Sequence, residues 1–302
     1  MSQSSLAFIR KEFQALVSPT ESVRIQAILP QRGTPVDATS KYVVETKSLG
    51  TFFVIVSAAS YPRTVAQAIR KQEGVRAILG LDLGCVIETP TLHGFAEGVS
   101  YAIWPFRRPL SGNRMLSKLQ RLWLSPRLCR WLGAVTRATA HPASLSTYDN
   151  AIRHFLARVS LPQPLAEAGH RALRDLHEGS LRPFHVLQHG DFWHGNVLLR
   201  GWAGPPAQLN PWGFYLIDWG GAEEEGFPFF DLLKITSSLG FSPAQLAKEV
   251  ERHSRILGIE PVQALSYFLV GLAHLGTHLE NFPEDRYLAL GLDLHARLTA
   301  AG

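Results

Sequence analysis

The chain has 302 residues, 46% hydrophobic and 18% charged, and 30 Lys and Arg against 25 Asp and Glu leave a net charge of +5. That balance excludes a disordered chain and provides a full core for one large domain or two lobes. The excess of base is modest and no nucleic-acid-binding motif accompanies it, which argues against a nucleic-acid partner.

Two cysteines, Cys85 and Cys129, lack metal-like spacing and point to a reducing, cytoplasmic setting rather than a disulfide scaffold. Residues 1–20 carry Arg10, Lys11 and Glu12 in their middle, so no signal peptide is expected. The longest apolar stretch, Ala264 to Leu275, is too short to span a bilayer and holds Ser266 and His274.

Leu6, Ile9, Phe13, Leu16 and Val17 recur at helical spacing and predict an opening amphipathic helix. Strands are expected over Val23 to Leu29, Lys41 to Glu45 and Thr51 to Ser57, the last two joined by a hairpin turn. A helix from Thr64 to Leu79 follows, then strands near Cys85 to Glu88 and Val99 to Trp104. No Gly-x-x-x-x-Gly-Lys-Ser/Thr or Gly-x-Gly-x-x-Gly run occurs, so P-loop and Rossmann readings fail.

From Gly98 to Tyr148 there is no Asp or Glu, while eight Arg and Lys residues lie between Arg107 and Arg137, with Trp123 and Trp131 among them. Three readings stay open: a pair of helices with solvated bases and buried tryptophans, a site for an anionic substrate, or contact of residues 107–137 with an anionic membrane surface. Further helices are expected over Thr147 to Val159, Pro164 to His177, from Ser242 as a cap, Pro261 to Glu280, and Pro283 to Leu298.

The chemistry concentrates in Gln188-His189-Gly190-Asp191-Phe192-Trp193-His194-Gly195-Asn196, followed by the apolar run Val197 to Leu199. A second run, Phe214 to Ile217, ends in Asp218. Paired as a hairpin, the two runs bring Asn196 beside Asp218, with Asp191 on the loop outside. Phosphoryl transfer needs this inventory: a carboxylate to orient the attacking hydroxyl and take its proton, and an amide with a carboxylate to hold Mg²⁺ on a nucleotide. His185, His189 and His194 crowd the same stretch without the spacing of a zinc site. Gly220 to Gly226 reads as a flexible acidic loop.

His-Gly-Asp-x-x-x-x-Asn followed by Ile-Asp-Trp resembles the aminoglycoside phosphotransferase and choline kinase-like superfamily, relatives of the protein kinases. Pro228-Phe229-Phe230-Asp231-Leu232 matches a further element of that family. The resemblance implies an α+β, two-lobe kinase-like fold, with an N-lobe over residues 1–106 and a C-lobe over 107–302. It implies Asp191 as catalytic base, His189 as a brace, Asp231 as a tie from the next helix to the loop, and Asn196 and Asp218 as Mg²⁺ ligands. Pro105, Phe106 and Arg107 become the hinge offering backbone groups to adenine, and Glu73 the helix glutamate that pairs with a strand lysine.

That lysine is missing, since Val56 or Ser57 holds its expected place, and Lys41, Lys47, Arg63 and Arg70 are the cations left open to replace it. Gln31 to Pro35 is not a phosphate loop. The expected activity is Mg²⁺-dependent transfer from ATP to a hydroxyl of a small metabolite, of sugar or amino-alcohol type. The alternatives are a nucleotide-binding pseudokinase scaffold and a membrane-surface kinase for a lipid-linked sugar.

Overall fold

A computed structural model describes residue 11 and residues 23–28, 39–200, 210–277, 279 and 282–302. The expected opening helix, the Gln31 to Pro35 segment and most of the Gly201 to Trp212 connection lie outside the described residues.

Strands β1 (Val23–Ile28), β2 (Thr39–Thr46) and β3 (Gly50–Ser57) pair antiparallel in succession. After helix α1 (Thr64–Gly84), β4 (Leu92–Ala96) and β5 (Val99–Pro105) complete a five-stranded sheet in the order β1-β2-β3-β5-β4. The period of two sends Tyr42, Val44, Val54, Val56, Tyr101 and Ile103 to one face. On the other face Ile55, Ala102 and Trp104 pack against Val65 and Ile69 of α1. Helix α1 runs beyond the expected Leu79, broken at Gly80 by φ 65 and ψ −167, a conformation that glycine adopts readily.

Cys85 to Glu88 is not a strand. It forms a turn with one parallel bridge, Ile87 to Leu216. Val86 and Ile87 are apolar because they belong to the core of the second lobe, not to the sheet.

After β6 (Arg108–Pro109), a single helix α2 (Arg114–Thr139) stands where two were expected, with Pro126 inside it and Asn113 capping it through Met115 and Leu116 N–H. Then come β7 (His141–Pro142), α3 (Leu145–Leu156), α4 (Gln163–His177), β8 (Phe184–Gln188), β9 (Val197–Leu199), β10 (Phe214–Leu216) and β11 (Glu223–Gly226). Helices α5 (Phe230–Leu239), α6 (Pro243–Leu257), α7 (Ala264–Thr277) and α8 (Glu284–Ala301) finish the chain. Two small sheets, β10-β9-β6 and β11-β8-β7, carry the loops between them. The acidic Glu223 to Gly226 segment is therefore a strand against β8, not a free loop.

Trp131 of α2 fixes these loops relative to one another. Its buried indole meets Phe192, Phe214 and Trp219 edge-on at 5.9, 6.2 and 6.4 Å between ring centroids. One side chain thus supports the loop after β8, the β9–β10 hairpin and the turn after β10. Trp123, by contrast, is 44% exposed and outside the core.

Candidate active site

Helix α5 holds the loop between β8 and β9. Buried Asp231, in its first turn, accepts the backbone N–H of His189 at 2.5 Å and of Gly190 at 3.1 Å. Burial pushes its carboxyl up to about 6, opposed by those two N–H groups and the nearby Lys234 charge. Gly190 sits at φ 79 against the turn after β10, where a Cβ would meet the Gly221 carbonyl oxygen at 2.5 Å. His189 Nδ1 lies 3.3 Å from the Asp191 N–H, and Nε2 lies 3.1 Å from the Ile217 carbonyl. A neutral ring with its proton on Nε2 satisfies both contacts. Burial pushes its pKa down to about 4, in keeping with that neutral form.

The Asp191 carboxylate is held from two sides. Lys234 Nζ stands 2.6 Å from Oδ1 and also donates to the Gly190 carbonyl at 3.1 Å. Asn196 Nδ2 donates to Oδ2 at 3.0 Å and to the Asp191 carbonyl at 2.9 Å. Burial raises the Asp191 pKa, but the Lys234 charge and hydrogen bond, with Asn196, outweigh it and hold the group below its ordinary value. Sequence reasoning missed Lys234. Its signal was spacing: it lies three residues after Asp231, and Ser238 four further, on one helix face. Ser238 Oγ accepts the His194 N–H at 3.0 Å, giving α5 a third hold on the loop.

The hairpin pairs as expected, Leu199 with Phe214 and Val197 with Leu216. The Ile217 N–H donates to the Asn196 carbonyl at 3.1 Å, which sets Asn196 and Asp218 at the same end of the hairpin. Asp218 takes a left-handed turn at φ 65 and ψ 56. Because Asn196 donates to Asp191 through Nδ2, its Oδ1 remains an oxygen donor. An amide oxygen and a carboxylate suit Mg²⁺, a hard cation that binds few protein oxygens and relies on substrate phosphates for the rest. The crowded histidines do not converge: His185 faces the Gly226 carbonyl, His189 the Ile217 carbonyl, and His194 Arg121.

The sheet side of the site departs from expectation. Val56 points into the face opposite α1. Ser57 Oγ bonds Ser100 Oγ at 2.8 Å and accepts the Val65 N–H at 3.0 Å, so it anchors the start of α1. Glu73 is not drawn into the site. It is about half exposed, and its carboxylate lies 4.0 Å from His93 Nε2 of β4. Among the cations left open, the register sets Lys41 opposite Ile55, on the α1 side of the sheet. Arg63 and Arg70 line a recess with Gln67 and Phe95. Lys71, which the sequence did not single out, donates from α1 to the Gly220 carbonyl at 3.1 Å.

At the hinge, Pro105 has no N–H and the Phe106 N–H is given to the Thr51 carbonyl at 2.9 Å, so neither of these two supplies a free backbone N–H. Arg107 is bound to Glu88 at 2.5 Å in a largely buried pair and lies over the Tyr215 ring at 4.8 Å.

Beside the β8–β9 loop, Arg121 of α2 donates to His194 Nε2 at 3.1 Å and to the Ser238 carbonyl at 3.4 Å. A guanidinium only donates, so the neutral His194 carries its proton on Nδ1. That Nδ1 and Arg121 Nε are buried without a partner, and among the described residues no carboxylate pairs with Arg121. The acidic strand lies elsewhere: Glu223 meets His274 at 2.8 Å, and Glu224 approaches Gly74 of α1.

No family model and no curated protein matches the sequence. Solved structures do match across nearly the whole chain. An aminoglycoside 2'-phosphotransferase in complex with GDP superposes with a TM-score of 0.53 at 13% identity, covering 97% of each chain. A macrolide 2'-phosphotransferase from Brachybacterium faecium gives 0.52 at 15% identity, covering 95% of this chain and 96% of that one. A choline kinase from Streptococcus pneumoniae gives 0.50 at 13% identity, covering 99% of each. The chain therefore has the α+β, two-lobe, protein-kinase-like fold that these phosphotransferases and kinases share.

Proposed function

We propose that the protein is a small-molecule kinase that moves the γ-phosphate of ATP to a hydroxyl of a small metabolite of sugar or amino-alcohol type. The observation that carries this reading is the Asp191 carboxylate, gripped by Lys234 and Asn196 at one end of the hairpin that also bears Asp218. In the transfer, the acceptor oxygen bonds to the γ-phosphorus as the bond to the β-phosphate oxygen breaks, and Asp191 takes the hydroxyl proton. Lys234 keeps that carboxylate ionised and fixed in rotamer. Asp231, through His189 and Gly190 N–H, sets where the loop stands. Mg²⁺, held by Asn196 and Asp218, supplies charge neutralisation on the phosphates when bound.

Arg121 and Lys234 surround the loop with positive charge, while the carboxylates of β11 engage His274 and face α1. This favours neutral or anionic acceptors over polycationic ones. A non-catalytic nucleotide-binding scaffold is the second reading, favoured by the lysine-free β3 and the displaced Glu73. An acceptor panel assayed for ADP release from Mg·ATP separates the two readings. Turnover that Asp191→Asn abolishes supports the kinase, whereas nucleotide binding without turnover on any hydroxyl acceptor supports the scaffold.

A further inference from the structure

Helix α2 buries one apolar side from its middle onward and carries a second, exposed apolar side toward its N-terminus. Leu124, Leu128, Trp131 and Leu132 face the core. Met115, Leu116, Leu119, Leu122 and Trp123 are each between 44% and 76% exposed. At roughly 100° per residue those five fall in one arc about 120° wide, a continuous outer stripe. A contiguous exposed apolar face marks a contact surface.

The charges around the stripe say what kind of contact. Arg114 and Lys118, both exposed, border one edge. Arg127 borders the other, its guanidinium 4.0 Å over the Trp123 ring and bonded to the Trp123 carbonyl at 2.8 Å. Exposed Arg130 continues the stripe one turn further on. No Asp or Glu occurs between Gly98 and Tyr148 to compensate them. A second copy seated on this face would bring cation against cation. An anionic lipid surface instead takes the leucines and methionine into the acyl boundary, the indole into the interface and the long cationic side chains among its headgroups.

We infer that the outer face of α2, from Arg114 to Arg130, docks on an anionic membrane surface. The proposed contact is peripheral, through one face of one helix; no single helix among the described residues is long and apolar enough to cross a bilayer. Arg121, on the opposite side of the same helix, is bonded to His194, so α2 carries the docked face on one side and the candidate active site on the other. The inference stands on this surface alone and is independent of whether the protein turns over ATP.

The test is co-sedimentation of the full chain with vesicles of phosphatidylcholine, alone or with about 30 mol% phosphatidylglycerol, with binding to the anionic vesicles expected to be about tenfold tighter or more. Leu119→Gln with Leu122→Gln should abolish that binding, and Arg114→Glu with Lys118→Glu should weaken it strongly. Both pairs replace exposed side chains, and thermal melts by circular dichroism establish that the fold is retained. No binding to the anionic vesicles, or binding indifferent to both variants, overturns the proposal. So does sedimentation equilibrium showing a dimer that the double Gln variant splits, since the stripe is then a self-interface.

Discussion

The loop from His189 to Asn196 is held at four residues by one helix, α5. The sheet side of the cleft has no lysine on β3, a half-exposed Glu73 and a Phe106 N–H spent on Thr51. On the proposed function the two regions answer to different demands. Geometry around a developing bond tolerates little displacement, and a misplaced reacting group costs orders of magnitude in rate. A single charge-assisted contact to a phosphate is worth about 1.5–3 kcal/mol, against about 8–23 kcal/mol supplied by enzymes overall. One such contact is replaceable from elsewhere: Lys41 stands on the α1 side of the sheet, Lys71 donates to the Gly220 carbonyl, and Lys234 donates to the Gly190 carbonyl.

The sharpest way to break this contrast is Asp191→Asn. Turnover should fall by about 10²–10⁴-fold, with nucleotide binding unchanged in calorimetry. Next is Asp231→Ala, which strips the acceptor from two backbone N–H groups inside the fold. It should cost about 2–3 kcal/mol in urea unfolding, besides most of the activity. Lys234→Met removes the partner of Asp191 and should lower kcat about 10–100-fold with little change in nucleotide affinity. Glu73→Gln should change either parameter less than about twofold, since its carboxylate sits about half exposed at 4.0 Å from His93. Silence at Glu73 beside a large loss at Lys234 would show that the loop, not the sheet, carries the electrostatics.

A separate effect concerns stability and pH. His189 and His253 are buried with pKa values pushed down to about 4. Their unfolded pKa is near 6.5, so each stabilises the neutral fold above about pH 6.5, and that stability is lost as pH falls toward 4. Between those limits unfolding takes up one proton per histidine, about 1.4 kcal/mol per pH unit each. His253→Phe, far from the loop, should flatten the acid side of the stability curve by about one proton's slope, measured by urea midpoints from pH 7 to 4.5.

The candidate site was legible where chemistry is local in sequence. Asn196 and Asp218 stand at the same end of one hairpin whose register follows from two apolar runs, and Asp191 stands on the loop just before it. Lys234 was not legible. A lysine on a helix reads as a solvated charge until the helix face that carries Asp231 is known to lie on the loop. Cys85 to Glu88 misled for the opposite reason. Val86 and Ile87 are apolar because the second lobe covers them, and a short apolar run does not say which neighbour does so. The post-hinge segment read as two helices because Pro126 ordinarily breaks one, yet α2 continues through it. Which hinge N–H is engaged was not legible, because backbone donors carry no side-chain signature: nothing in Phe106 reveals that Thr51 accepts its N–H.

The central claim is that this cleft holds a magnesium nucleotide through the C-lobe side without the strand lysine. The direct test is calorimetric titration of the protein with ATP, with and without Mg²⁺, beside Asp218→Ala. Binding that requires Mg²⁺ and is lost in Asp218→Ala is the predicted result. Absence of binding at millimolar ATP, or binding indifferent to both the metal and Asp218, would contradict the account.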